Sequence, residues 1–475
     1  MKILLIYPAF RTQSRSIYFP FGLAYVAAVL AKAGHTLQVL DLEGEGLTLG
    51  QAAERISHAE FDLVGLGGMV TRYAQVKELV PLLRRRNSQA MIVAGNSGAS
   101  TVPHLYLRNA GVDVCVIGEG EQTMLELAQR LEQGKDWHDI AGLAWLEGQE
   151  VRFSPSRLLL ADLDELPYPA WDLFPIERYV TSPDHRQPHR TLDVVASRGC
   201  PFTCRFCYSI YGHKIRRRQP QKLLEEIDEI TARYNLRHFG FVDDLFTSDK
   251  KFVAEFCDLK LAQDNHTIWS CLGRVDTLNR EILQKMHDAG CRHIALGIES
   301  GSQHMLDAMK KNATVEENRQ AVELCHAVGI KPHPSFIVGT PGETTETVRE
   351  SVMFCKKLGL TTTFHIMTPY PGSYFYIQAL EQGLIKDEDA FVSSLGTATE
   401  LYLNISGLPD EELFRLKREG EWEILRHFML HYPFKFTHEY ITRNLRLLGF
   451  KGLVKRIFSH RGSTIDHATQ TDHRA

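Results

Sequence analysis

The sequence predicts an α/β protein of two joined units. A doubly wound parallel sheet spans residues 1–150 and a second strand–helix series spans 191–390, with a connector at 151–190 and a mostly helical region at 391–475. Three observations predict this. Short apolar runs alternate with amphipathic stretches in both units, the pattern of strands joined by crossover helices. The loops after those runs are rich in glycine, cysteine or carboxylate, and α/β proteins keep their chemistry outside the carboxyl ends of strands. Between the two series, the stretch from Asp162 to Asp172 is punctuated by Pro167 and Pro169, which fix an extended path rather than a helix.

In the first unit the expected strands are Lys2–Tyr7, Thr36–Leu40, Leu63–Leu66, Met91–Ala94 and Val112–Ile117. Helix-like segments at Gly22–Ala33, Val76–Arg85 and Glu121–Glu132 lie between or after them. The loops at the strand ends read Pro8-Ala9-Phe10, Gly67-Gly68-Met69-Val70-Thr71, Gly95-Asn96-Ser97-Gly98 and Gly118-Glu119-Gly120-Glu121. Residues this small let backbone come close to a ligand.

In the second unit the expected strands are Asp193–Ser197, His238–Val242, Thr267–Cys271, His293–Gly297, His333–Val338 and Thr362–Met367, with helices such as Gln221–Arg233 and Thr344–Leu358. Cys200, Cys204 and Cys207 stand on the loop leaving the first strand, spaced C-x-x-x-C-x-x-C. Iron–sulfur clusters are held by cysteine thiolates, normally four. Three would leave one iron of a [4Fe–4S] cluster open to a small molecule. A structural zinc site is the competing reading, but zinc takes four ligands in paired spacing and no second C-x-x-C pair is present. Cys115, Cys257, Cys271, Cys291, Cys325 and Cys355 are scattered, mostly in apolar segments, and read as ordinary buried thiols. Further strand ends carry Asp243-Asp244, Arg274, Glu299, Ile337-Val338 and Thr368-Pro369-Tyr370-Pro371-Gly372-Ser373. Asp243 and Asp244 are adjacent and point to different sides, so they do not form a metal pair. An aspartate there also caps a following helix well. Arg274 suits a carboxylate partner, and a surface salt bridge would serve it equally.

A net charge of −4 gives no electrostatic case for a nucleic-acid partner. No apolar run reaches the length of about 18 residues that a membrane-spanning helix needs. Nine cysteines in 475 residues do not form a disulfide framework, and a reducing cytoplasm suits both them and a reducible cluster. In the last region, helices are expected at Asp410–Leu430 and Ile441–Phe458. Residues 434–461 are basic and amphipathic, a face that suits an anionic membrane surface or a packed helix. The chain from about Ser463 is polar and expected to be disordered.

The cysteine triad, with Phe206 in the aromatic position before the third cysteine, resembles the signature of the radical S-adenosylmethionine (SAM) superfamily. The first unit is similar to the cobalamin (B12)-binding, Rossmann-like domain of one large class of that superfamily. The matching features are the opening Leu4-Leu5-Ile6-Tyr7-Pro8, the entry Pro20-Phe21-Gly22-Leu23-Ala24-Tyr25 and the Gly118-Glu119-Gly120-Glu121 turn. The resemblance implies a partial (βα)6 barrel for the second unit. It also implies that Cys200, Cys204 and Cys207 ligate a [4Fe–4S] cluster whose open iron chelates SAM. Phe206, Asp243, Arg274, Glu299, Ile337 and Val338 become SAM contacts. Glu299 would face the ribose, Ile337 or Val338 the adenine, Asp243 the ammonium and Arg274 the carboxylate. Gly67, Gly68, Thr71, Gly95, Ser97, Gly118, Glu119 and Gly120 become cobalamin contacts. The Asp-x-His-x-x-Gly motif that supplies a histidine to cobalt in methionine-synthase-like domains is absent, so the lower face of the corrin is expected to lack one.

The implied activity is reductive cleavage of SAM to a 5′-deoxyadenosyl radical, followed by methylation of an unactivated carbon in a small-molecule, lipid or natural-product substrate. Two alternatives accompany it: a non-methylating reaction such as cyclisation, rearrangement or dehydration, and a SAM- and B12-binding regulatory protein. The implied partners are the substrate, an electron donor such as flavodoxin or ferredoxin, and a membrane surface touched through the C-terminal region.

Overall fold

The computed structural model describes residues 1–10, 17–180, 190–263, 265–441 and 445. Its first unit contains strands β1 (Lys2–Tyr7), β2 (Thr36–Asp41), β3 (Leu63–Leu66), β4 (Met91–Ala94), β5 (Val114–Val116), β6 (Leu143–Glu147) and β7 (Glu150–Phe153). They form one sheet in the order β2-β1-β3-β4-β5-β6-β7. The first five are parallel and the last two antiparallel. The strand order reverses beside β1, so the carboxyl ends of β1 and β3 flank the crevice where such sheets bind ligands. The β6–β7 hairpin was not expected. Its signal is the Gly148-Gln149 turn, where Gly148 takes φ +64°, a conformation glycine adopts without strain.

The second unit contains β8 (Thr191–Val194), the short β9 (Ser197–Arg198) and β10 (Arg216–Arg217), then β11 (His238–Phe241), β12 (Ile268–Gly273), β13 (Cys291–Glu299), β14 (Lys331–Val338) and β15 (Phe364–Ile366). The main sheet runs β15-β14-β13-β12-β11-β8, all parallel and in sequential order, which makes a partial barrel. Its helical side is filled by Phe239, Phe241, Phe246, Phe256 and Trp269, all buried and in mutual ring contact. The indole N–H of Trp269 donates to Ala289 O at 2.9 Å.

The outer edge at β15 is covered, as an exposed edge must be. Ile366 N donates to Ala398 O at 2.6 Å, and Phe364 N donates to Glu421 Oε1 at 2.8 Å from the helix Asp410–His431. Between these elements the chain returns to the first unit. Tyr376, Ala379, Phe391 and Val392 join the apolar cluster of Leu4, Ile6, Leu66 and Tyr73. Asp389 bridges the Tyr73 hydroxyl and Lys77, each at 2.5 Å. Among the described residues no helix is long and apolar enough to cross a membrane. The basic helix expected at Ile441–Phe458 and the tail from Ser463 fall outside the described residues, apart from Ile441 and Leu445.

Candidate active site

The cysteine loop begins where β8 ends and is pinched shut by antiparallel β9 and β10. Gly199 sits at φ +97°, and a Cβ there would lie 2.5 Å from Lys214 O, so only glycine admits the approach. Cys200 N donates to Gly212 O at 3.2 Å, Cys207 N to Cys204 O at 3.1 Å and Arg205 N to Met309 O at 2.9 Å. Cys200 and Cys204 are half-buried and Cys207 opens to the cavity described below, whereas the other six cysteines are buried. A thiol holds a metal as thiolate, and the charge of the bound metal is what stabilises that form. Among the described residues no three His, Cys, Asp or Glu side chains converge on one metal ion. Cysteines that hold a cluster each take a different iron and stand further apart than the ligands of a single zinc. Three thiols on one loop are the donor set that such a cluster takes.

The structure redistributes several of the expected roles. Asp243 is buried and turned inward, accepting from Ala196 N at 2.8 Å and from the Ser197 hydroxyl at 2.6 Å. Burial pushes its carboxyl up to about 7. It ties the end of β11 to the end of β8. Asp244 instead faces the cysteine loop, accepting from Gly199 N at 3.2 Å, so the assignment within this pair is reversed. Arg274 is buried and engaged by protein on every side. Its guanidinium bonds Asp276 at 2.8 Å and the carbonyls of Lys311 and Asn312, lies 3.8 Å from Cys204 Sγ and stacks 3.7 Å from the Phe202 ring. It braces the cysteine loop, and its carboxylate partner within the chain is Asp276. On β14 the side chains alternate: Ile337 lines the cavity, while Val338 is buried in the apolar core, which removes Val338 as a ligand contact. Glu299 does face the cavity, at φ +63° beside an irregularity in β13. Lys311, which the sequence did not single out, pairs with it at 2.9 Å.

In the first unit a pocket penetrates the strand ends. Leu5, Gly65, Val93, Val116 and Met124 make it apolar, and Gly67, Gly95, Gly118 and Gly120 line it. A Cβ at Gly95 or Gly118 would meet no protein atom within 4 Å, leaving room for a flat ligand. Glu119 lines the pocket, but its carboxylate is taken by Arg198 at 2.9 Å, Arg216 at 2.8 Å and Leu160 N at 2.9 Å. Burial would raise it, yet the two arginines hold it below the ordinary range. Its role is to join the units, a correction to the ligand contact expected of it. Gly68 lies beside the pocket at φ +149°, where a Cβ would strike the Arg72 side chain at 2.6 Å.

A larger cavity lies between the units. One wall is Phe206, Cys207, Tyr208, Glu299, Ser335 and Ile337, and the facing wall is Met69, Val70, Thr71, Arg72 and Ser97. Met367, Thr368, Tyr370, Pro371 and residues 396–399 close the side. Thr71 is buried with no hydrogen-bond partner for its hydroxyl, and the Ser97 hydroxyl accepts from Val70 N at 3.3 Å. No histidine of the first unit lines either cavity.

Comparison with known proteins matches this geometry. A family model for the radical SAM superfamily covers residues 194–355, and one for the B12 binding domain covers residues 9–128. An uncharacterised methyltransferase of Pyrococcus horikoshii is 30% identical over 477 residues, spanning 98% of this chain and 97% of the relative. The chain belongs to the B12-binding radical SAM enzymes. This radical SAM enzyme is also 28% identical to the anaerobic magnesium-protoporphyrin IX monomethyl ester cyclase of Rubrivivax gelatinosus, over 78% of this chain and 69% of that one. To the cytidylyl-2-hydroxyethylphosphonate methyltransferase of Streptomyces wedmorensis it is 26% identical, over 86% and 87%. In fold it resembles the radical SAM methyltransferase TsrM of Kitasatospora setae, solved with cobalamin and a [4Fe–4S] cluster, with a TM-score of 0.71 at 19% identity over 89% and 88% of the two chains.

Proposed function

We propose that this enzyme transfers a methyl group through bound cobalamin to a carbon atom of a small molecule with a largely apolar body. The observation that carries the reading is the single cavity walled by the cysteine loop and Glu299 on one side and by Met69–Arg72 on the other. When bound, the cluster and SAM supply a carbon-centred oxidant for an unactivated C–H bond, and the corrinoid supplies the methyl group. The chain's own residues bind and orient. Glu299, paired with Lys311, accepts from the ribose hydroxyls. Phe206 and Ile337 flank the adenine, and Asp244 receives the SAM ammonium, a charge-assisted contact. The pocket of the first unit takes the nucleotide tail of the corrinoid, and the Thr71 hydroxyl is placed to bond its periphery. Phe10, Tyr18, Val70, Met367, Tyr370 and Pro371 leave an apolar space for substrate. The charges of the described lining are paired, Glu43 with Arg72 and Glu299 with Lys311, which disfavours a highly charged substrate.

A second reading, oxidative ring closure, is favoured by the identity to the magnesium-protoporphyrin cyclase. Product mass separates them. The anaerobically reconstituted enzyme, given SAM with a deuterated methyl group and an extract of apolar metabolites, is expected to make deoxyadenosine and a product in which CD3 replaces one hydrogen of its substrate. Deoxyadenosine without label in any product would select ring closure. Cys204→Ala serves as the control and is expected to lose both cluster iron and deoxyadenosine.

A further inference from the structure

The pocket of the first unit and the cysteine loop share a wall. Ile210 and Tyr211 line that pocket, and they belong to the loop that carries the cysteines. The loop is built as one piece. The Ser209 hydroxyl donates to Gly212 O at 2.9 Å, Gly212 O also accepts from Cys200 N at 3.2 Å, and His213 Nδ1 lies 3.1 Å from Cys200 O. A shift of Tyr211 therefore moves the backbone beside Cys200.

Behind this wall lies a closed set of charges. Arg198 stands two residues before Cys200 and is 3% exposed. It pairs with Glu119 at 2.9 Å and Glu121 at 2.6 Å, both residues of the pocket. Its guanidinium lies 5.2 Å from the Tyr25 ring and 5.1 Å from the Tyr211 ring. Arg216, on the strand that closes the loop, holds Glu119 at 2.8 Å and donates to Tyr211 O at 3.3 Å. Loss of one partner from such a set leaves a buried charge uncompensated, so the pocket loop and the cysteine loop hold their positions jointly.

We propose that the nucleotide tail of the corrinoid, packed on Ile210 and Tyr211, stabilises the cluster-bearing loop, so that cobalamin and the [4Fe–4S] cluster bind with positive coupling carried by Tyr211 and Arg198. The inference rests on the corrinoid reading of the pocket. Coupling between two bound groups is reciprocal, so either can be used to measure it.

The test is an absorbance titration of the full chain, with and without the reconstituted cluster, using hydroxocobalamin and, separately, cobinamide, which has no nucleotide tail. The cluster is expected to tighten hydroxocobalamin about fivefold or more and to leave cobinamide nearly unchanged. Tyr211→Ala and Arg198→Met are expected to shrink that difference. Equal hydroxocobalamin affinity in the two forms overturns the coupling, and so does equal tightening of cobinamide. Absence of hydroxocobalamin binding in both forms overturns the corrinoid reading as well. The comparison on the unaltered chain stands even if a variant fails to fold.

Discussion

Lys311 Nζ stands 2.9 Å from Glu299 Oε1, with both side chains less than a tenth exposed. The pair sets a carboxylate and an ammonium partner at the rim of the large cavity. Glu299→Gln is expected to weaken SAM binding by roughly ten- to hundredfold, the worth of a charged hydrogen bond of about 1.5–3 kcal/mol. Lys311→Met is expected to weaken SAM as well, and to destabilise the fold by about 3–5 kcal/mol because it strands a buried carboxylate. The double variant should regain stability without regaining SAM affinity. Calorimetric titration and thermal melts read both quantities, and unchanged affinity in Glu299→Gln would move the ribose contact elsewhere.

Asp243 gives a pH signature. Burial lifts its carboxyl from 3.8 to about 7, so the folded state prefers the protonated form. Its contribution is fully present below about pH 4 and is lost as pH rises through about 7. Asp243→Asn retains an acceptor for Ala196 N and a partner for Ser197 but does not titrate. The variant is expected to gain on the parent by a few kcal/mol across that window, as read from melts at a series of pH values. Glu343, also pushed up to about 7 by burial, titrates in both proteins and cancels. Parallel stability curves would refute the assignment.

Gly95→Val tests the pocket of the first unit without disturbing its frame. A Cβ there meets no protein atom within 4 Å, and φ is −136°, which valine tolerates. Stability should change by no more than about 0.5 kcal/mol, while retention of cobalamin after gel filtration should fall sharply. Full retention would place the corrinoid elsewhere.

The absence of a first-unit histidine from the walls of both cavities predicts how cobalt is held from below. Electron paramagnetic resonance of the bound cob(II)alamin should lack the three-line nitrogen pattern that an imidazole ligand produces. Observation of that pattern would show a nitrogen ligand at cobalt, either cobalamin's own benzimidazole or a side chain from outside the first unit such as His365 in the wall of the large cavity.

Much of the site was legible because its signals are local. Cysteine spacing puts three thiols on one loop, and glycine-rich turns mark strand ends whatever surrounds them. What failed depended on phase or distance. Which of Asp243 and Asp244 looks outward is set by where β11 ends, and a one-residue difference reverses them. Glu119, flanked by glycines, reads as a ligand contact, yet its partners Arg198 and Arg216 lie 79 and 97 residues downstream. Lys311 follows a short helix with no motif around it, and only the folding of β13 brings Glu299 to it. The fully engaged state of Arg274 likewise arises from Phe202, Asp276 and the 311–312 carbonyls meeting in space.

The return of the chain to the first sheet after the barrel sets a limit on modularity. Tyr376, Ala379, Ile385, Phe391, Val392 and Leu395 complete an apolar cluster whose other buried members all lie at or before Ala144, and Asp389 is anchored to Tyr73 and Lys77. A first unit excised at the connector would bare that surface to water, and a barrel cut free would carry an apolar flap with nothing to cover. The two halves are therefore not interchangeable cassettes. A chimaera that exchanges the first unit for a relative's must carry the matching 374–395 segment with it, and two such enzymes diverge together along that seam.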